Sequence, residues 1–280
     1  MSNIICQLKN SSHIQMMGYV IKTADGKIIV VDGGTKFDTE HLIEVIKNMS
    51  GEEKPRVDAW LLTHAHSDHI APLCDVVEKY SDEIEIEKIY YNFPSVKFVS
   101  DTEPYEAHTV ERFYSLLEKF ARAATIVTES DEYFIGETKM EILYTHDPSI
   151  RANPLNNTST VFRLTLGKKT VIFLGDLGVE SGNKMLSRLG DSLKSDYCQM
   201  AHHGQAGCSR EVYAAIKPSV CLWCAPDWLY ENDIGKLDKS KTGGYGSGPW
   251  QTLNVRAWMD EISPDAAHYV EMDGDQYIEI

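Results

Sequence analysis

From Leu61 to His69 the chain reads Leu-Leu-Thr-His-Ala-His-Ser-Asp-His, so four metal-ligand side chains fall within six residues at the end of an apolar run. The run 57–62 is expected as a buried strand feeding that cluster. In extended or turning backbone alternate side chains share a side, so His64, His66 and Asp68 converge. His69 then starts a helix, in whose first turn Pro72 is tolerated. Imidazole nitrogen suits zinc, iron or manganese, and a carboxylate adds compensating charge. The plain alternative is a polar loop that happens to hold three histidines. With ten histidines in 280 residues, that spacing would be an unusual accident.

Strands and helices are expected to alternate around the cluster. Strand-length apolar runs lie at 4–8, 17–21 and 27–31, with hairpin turn chemistry at 24–27. Helical spacing follows at 38–49, 72–80 and 104–123, with a strand at 86–91. The second half repeats the style, with strands at 139–144, 158–166, 170–174, 196–200 and 220–224 and helices at 183–189, 210–216 and 250–262. Two short strands close the chain. No Pro/Gly/Ser linker divides it, so residues 1–280 read as one mixed α/β domain. The stretch 227–249 holds five of the nineteen glycines and reads as a long active-site loop. Its Trp228, Tyr230 and Tyr245, with Trp250 just beyond, suit a lid or anchors against the surface.

Composition narrows the partners. The 27 basic and 42 acidic side chains give a net charge of −15, which opposes binding to nucleic acid or an anionic membrane. Neither an export signal nor an 18-residue apolar stretch is visible, so a cytoplasmic address is expected. The six cysteines then read as reduced thiols. Cys221 and Cys224 form a C-x-x-C without the second pair that a zinc knuckle needs.

The histidine cluster resembles the H-x-H-x-D-H signature of the metallo-β-lactamase superfamily. Three further motifs stand in the order of that family: Ile28-Ile29-Val30-Val31-Asp32-Gly33-Gly34, Phe173-Leu174-Gly175-Asp176 and Ala201-His202-His203-Gly204. The resemblance implies a binuclear metal-dependent hydrolase on a four-layer αββα sandwich, two mixed sheets face to face with helices outside. It implies that His64 and His66 hold a first metal, Asp68 and His69 a second, and that Asp176 bridges them. His203 or His202 completes the second site, the other touching substrate. His146, after the strand 139–144, is the implied third ligand of the first metal, although Thr145-His146-Asp147-Pro148 also suits a turn cap. Asp32 is implied to buttress the histidine motif, against the alternative of a simple turn residue. Two zinc ions are expected, with manganese or iron as alternatives.

Two divalent ions about 3.5–4 Å apart can share a hydroxide that attacks a carbonyl or phosphorus. Asp68, His202 and His203 are the catalytic candidates. Asn156-Asn157-Thr158-Ser159 and the late histidine pair are similar to the branch of DNA-uptake-protein hydrolase domains and phosphorylcholine esterases, which implies phosphoester or phosphodiester cleavage. Gln205 stands where that branch usually has serine, which loosens the link to one substrate. The acidic surface favours a small anionic substrate over a long polyanion, with Lys236, Lys239 and Lys241 as possible counter-charge. The alternatives are a carboxylic-ester, thioester or lactone hydrolase, and a non-catalytic metal-binding sensor. The oligomeric state is not legible.

Overall fold

The apolar runs pair into two seven-stranded sheets and one two-stranded pair. The computed structural model describes residues 2–280. The chain begins with β1 (Ile4–Gln7), β2 (Gly18–Lys22), β3 (Ile28–Asp32), α1 (Thr39–Ser50), β4 (Arg56–Val57) and β5 (Ala59–Leu61). Next come α2 (Ser67–Lys79), β6 (Glu85–Ile86), β7 (Ile89–Tyr91), α3 (Val96–Thr102), α4 (Ala107–Phe120) and β8 (Ala124–Ile126). The second half holds β9 (Glu132–Ile135), β10 (Thr138–Tyr144), β11 (Val161–Leu166), β12 (Lys169–Phe173), α5 (Val179–Leu189), β13 (Tyr197–Gln199), α6 (Arg210–Ile216) and β14 (Val220–Trp223). It closes with α7 (Asp227–Tyr230), α8 (Ile234–Leu237), α9 (Thr252–Ile262), β15 (Ala267–Val270) and β16 (Gln276–Glu279).

The first sheet has the order β16-β1-β2-β3-β5-β7-β8, antiparallel as far as β3 and parallel beyond it. The second runs β15-β14-β13-β12-β11-β10-β9, parallel from β15 to β12 and antiparallel thereafter. Parallel neighbours need long crossovers, and the helices supply them. They lie on the outer faces. Every residue of β3 is buried, as a strand covered on both sides requires. Ile28 and Val30 pack with Leu42, Ile46 and Leu73 of α1 and α2, whereas Ile29 and Val31 meet Phe162, Leu164 and Phe173 of the other sheet. A third apolar layer around Ile172, Tyr213, Trp223 and Met259 seats the second sheet on its helices. The result is the four-layer sandwich.

The carboxyl ends of β3, β5, β12, β13 and β14 point to one edge of the sandwich, and the four motifs follow four of those strands. Two expectations shift there. The helix expected to start at His69, with its clear spacing from residue 72, begins at Ser67, so Asp68 lies in its first turn, where a helix favours negative charge. Pro72 removes one helical donor, and the Asp68 carbonyl instead accepts the Met17 N–H at 3.2 Å, fastening the approach to β2 beneath the site. The helix foreseen over 104–123 forms as α4, from Ala107 after a tight turn at Pro104–Glu106, but α3 precedes it unforeseen; Pro104 disfavours helical backbone at Glu103, whose φ is −148°, and so parts the two.

The segment 227–249 is held down by its own aromatics. Trp228 is buried with its ring 4.7 Å from that of Trp250, and Tyr230 stands edge-on to Trp223. Asp233 gathers the N–H groups of Gly235 and Gly244 at 2.9 and 2.8 Å. Only Tyr245 of the four aromatics is exposed. Lys236 is paired with Asp227 and Glu231, and Lys241 lies 4.0 Å from Asp238. All six cysteines are buried and free of disulfides. No helix among the described residues is long and apolar enough to cross a membrane.

Candidate metal centre

Three of the four motifs end their strands in a conformation that side chains rarely adopt. Asp32, His202 and His203 have φ of 51°, 53° and 56°, in the left-handed region. Backbone strain of this kind persists where surrounding structure enforces it, and it concentrates at functional sites. Gly175 also turns left-handed, and a Cβ there would lie 2.8 Å from the Thr63 side chain. Gly204 is pressed on Trp223, whose ring would stand 2.4 Å from an added Cβ. Gly175 lets the two sheets bring their loops together, and Gly204 lets the late histidine turn settle on β14.

Asp32 organises the first motif from beneath. One of its oxygens accepts the Thr63 N–H at 2.8 Å; the other accepts the Thr63 hydroxyl at 2.6 Å and pairs with His69 Nδ1 at 2.7 Å. His69 therefore carries its proton on Nδ1 and turns Nε2 inward. The Thr63 hydroxyl, its hydrogen spent on Asp32, can accept from His64 Nδ1 at 3.2 Å. On the far side His66 Nε2 meets the Glu103 carboxylate at 3.0 Å. The bare nitrogens that remain, His64 Nε2 and His66 Nδ1, face each other across 2.9 Å. Two lone pairs that close call for a cation or a proton between them.

Asp176 reaches the middle from the opposite sheet. Its Oδ1 lies 3.4 Å from His69 Nε2, and its Oδ2 lies 3.3 Å from His203 Nε2 and 3.9 Å from His64 Nε2. Asp68 Oδ2 stands 3.3 Å from His203 Nε2 and 4.0 Å from His69 Nε2. His203 uses Nδ1 on the Cys224 carbonyl at 3.0 Å, again leaving Nε2 inward. His202 takes another place. It is partly exposed at the mouth, with Nε2 3.3 Å from the Asn156 amide, 4.0 Å from Asp176, and Nδ1 toward the Ala206 carbonyl.

The donor atoms fall into two groups, His64 with His69 and Asp176, and Asp68 with His69 and His203. His69 Nε2, His203 Nε2 and Asp176 Oδ1 are buried without a hydrogen-bond partner. Buried polar atoms left bare are costly, and imidazole with carboxylate is the donor chemistry of divalent ions. The residues fit a metal centre. Without metal, charge balance falls to protons. Burial opposes charge on Asp68 and Asp176, but His69 and His203 outweigh it and hold both carboxyls below their ordinary range. Burial would likewise lower His69, yet Asp176, Asp68 and Asp32 push it up to about 10. His203 is raised well above its ordinary value against the same burial, by Asp176 and Asp68. Burial and the neighbouring His69 hold His64 well below.

The structure thus gathers His64, His66, Asp68, His69, Asp176 and His203, with Asp32 behind them and His202 at the edge. His146 joins neither group. Its ring packs edge-on to Phe98 at 4.9 Å, and it walls a separate surface cavity with Lys184 and Arg188. Two residues escaped the sequence reading. Glu103 is buried, orients His66, and also accepts the Leu155 N–H at 3.0 Å; it lies in an ordinary acidic stretch that carries no signal. Glu271 follows β15, fully buried with both carboxyl oxygens bare.

A family model described as the metallo-beta-lactamase superfamily matches residues 17–218. The chain belongs to the metallo-β-lactamase superfamily. Among solved structures, the metallo-beta-lactamase fold protein YhfI from Bacillus subtilis is similar at 16% identity and a TM-score of 0.59, covering 99% of this chain and 100% of that one. CmlA, a diiron beta-hydroxylase from Streptomyces venezuelae, is similar at 12% identity and a TM-score of 0.56, covering 100% of this chain and 54% of CmlA. At such identities the likeness is one of fold. No curated protein matches the sequence. Members of the metallo-β-lactamase superfamily are mostly metal-dependent hydrolases, and the fold binds divalent metals; the histidine and aspartate groups here offer donors of that kind.

Proposed function

We propose that the chain is a binuclear metal-dependent hydrolase of small phosphoesters or phosphodiesters. The reading rests on one observation: the inward atoms of His69, Asp176 and His203 are buried, unpartnered and within reach of one another. His69 belongs to both donor groups, as expected where two sites adjoin. His64, His66 and Asp176 would hold one ion, Asp68, His69 and His203 the other. Two such ions supply Lewis acidity and an activated water.

The protein's own groups then divide the remaining work. Asp68 is the ligand carboxylate that reaches solvent, so it can accept a hydrogen bond from an incoming water and orient it. Hydrolysis joins the water oxygen to phosphorus and breaks the bond to the leaving oxygen, which takes up the proton that the water gives up. His202 borders that space with a ring fixed by Asn156 and Ala206, and it contacts the departing oxygen. The net charge of −15 supports a small substrate over a polyanion. Zinc is the ion proposed.

A substrate panel tests the reading. Protein loaded with zinc, manganese or iron is assayed on phosphomonoesters, phosphodiesters, carboxylic esters, thioesters and lactones. Metal-dependent phosphoester turnover, abolished in Asp176→Ala, is expected. Turnover confined to lactones, thioesters or carboxylic esters overturns the phosphoester assignment. No turnover with any metal, despite two bound ions, turns the reading to a metal-binding sensor.

A further inference from the structure

Beside Asp68 a groove of about 440 Å³ opens between the loop after β3 and the first turns of α2 and α4. That volume lies in the range of small-molecule sites. Ala71 and Cys74 form its floor, and Ile14 and Phe37 its rim. The rim side chains are about half exposed, at 50% and 57%, so apolar surface stands open beside the donor groups. Two cations line the groove, and they differ. Arg112 is already held by Asp75 and Glu78. Lys36 has no carboxylate within 4.0 Å among the described residues, and its Nζ rests 5.0 Å from the centre of the Phe37 ring.

We infer that this groove is the specificity subsite of the enzyme and takes an aryl or branched-alkyl group of the substrate, with Lys36 meeting an anionic oxygen at its rim. The inference rests on the proposed phosphoester chemistry and narrows it. Continuity makes the link: Asp68 is at once a wall of the groove and a member of the second donor group. A phosphorus held over the metal centre therefore has one substituent directed along Ile14 and Phe37. That substituent buries the two exposed side chains, and an aromatic one adds a ring contact to Phe37.

Binding and turnover are read separately. Metal-loaded protein is titrated calorimetrically with phenyl phosphate and methyl phosphate, and kcat/KM is measured for aryl and methyl phosphodiesters that share one leaving group. An aryl preference of about tenfold or more is expected in both, since burying an aromatic side is worth roughly that. Phe37→Ala and Ile14→Ala should each shrink the aryl-to-methyl ratio severalfold. Phe134→Ala, an exposed aromatic on the outer strand β9, should leave it at the wild-type value. Lys36→Gln should weaken both phosphates and keep their ratio. Phosphoester turnover with no aryl preference, or a preference that survives Phe37→Ala and Ile14→Ala together, overturns the groove assignment alone. Aryl preference found only among carboxylic esters keeps the groove and removes the phosphoester reading.

Discussion

At the scale of single residues, the decisive facts are which nitrogen of each histidine is free and which oxygens lack partners. His202 and His203 are adjacent and chemically identical, and each sets Nδ1 on a backbone carbonyl, yet only the Cys224 carbonyl under His203 turns Nε2 into the cluster. His203→Ala is therefore expected to lose one metal equivalent, while His202→Ala keeps full stoichiometry and loses turnover about 10²-fold or more; elemental analysis beside kinetics reads both. His146→Ala should keep full stoichiometry as well. Glu271 makes a second case. Its carboxyl is raised well above the usual range, first by burial and then against the pull of His203. In the fold it keeps its proton, whereas the unfolded chain releases it above about pH 4.3. Stability is therefore lost as pH rises from that value toward the folded one. Glu271→Gln should match the wild type in Tm near pH 4 and exceed it by a few degrees at pH 8. Equal Tm values across that range would show the carboxyl to be satisfied.

At the scale of elements, the strand ends do the positioning. β3 and β5 lie parallel, so the residues that follow them, Asp32 and the segment from Leu62 to His66, emerge side by side. The start of the same pair is pinned by Asp58. It accepts the Ile28 N–H at 2.9 Å and bonds Lys27 and Arg56 at 3.0 and 2.9 Å. Burial raises its carboxyl, but the Ile28 N–H, Lys27 and Arg56 outweigh that and leave it below the ordinary value. Its stabilisation is thus present above the unfolded pKa and lost as pH falls through the folded one. Asp58→Asn should cost about 1–2 kcal/mol at pH 7, with solvent screening limiting the ionic share. Urea melts at pH 7 and below pH 3 should show the gap closing; a gap unchanged in acid would assign the effect to geometry instead. Secondary structure was largely legible at this scale because period-two and helical spacing survive in short apolar runs. The exceptions have local causes: α3 is only seven residues long and parted from α4 by Pro104, and the edge strands β8 and β9 are short and polar enough to hide.

At the scale of the whole molecule, the site joins two sheets, so metal, charge and stability are coupled. His69 and His203 hold protons where the metals belong, and metal binding must displace them. Zinc titrated calorimetrically into chelator-treated protein at pH 7, in buffers of differing ionisation enthalpy, should release at least one proton per chain. Affinity should rise with pH up to about 10, where His69 no longer holds its proton. No proton release would mean that the imidazoles are already neutral. The loaded protein should also melt higher, by about 4 kcal/mol of stabilisation when free zinc exceeds its Kd a thousandfold.

The sequence alone determined that His64, His66, Asp68 and His69 form a ligand cluster, since they are neighbours on one short segment whose spacing survives any fold that extends the strand before it. The order of the four motifs likewise carried the superfamily and its sandwich. Tertiary structure decided the rest. Glu103, Glu271 and the Ile14–Phe37 groove are assembled from segments far apart in the chain, and no local spacing marks them. The choice between His202 and His203 turned on one carbonyl, that of Cys224, supplied from the end of the neighbouring strand. Spacing records what one segment can reach; which atom faces which across two sheets is settled only when they pack.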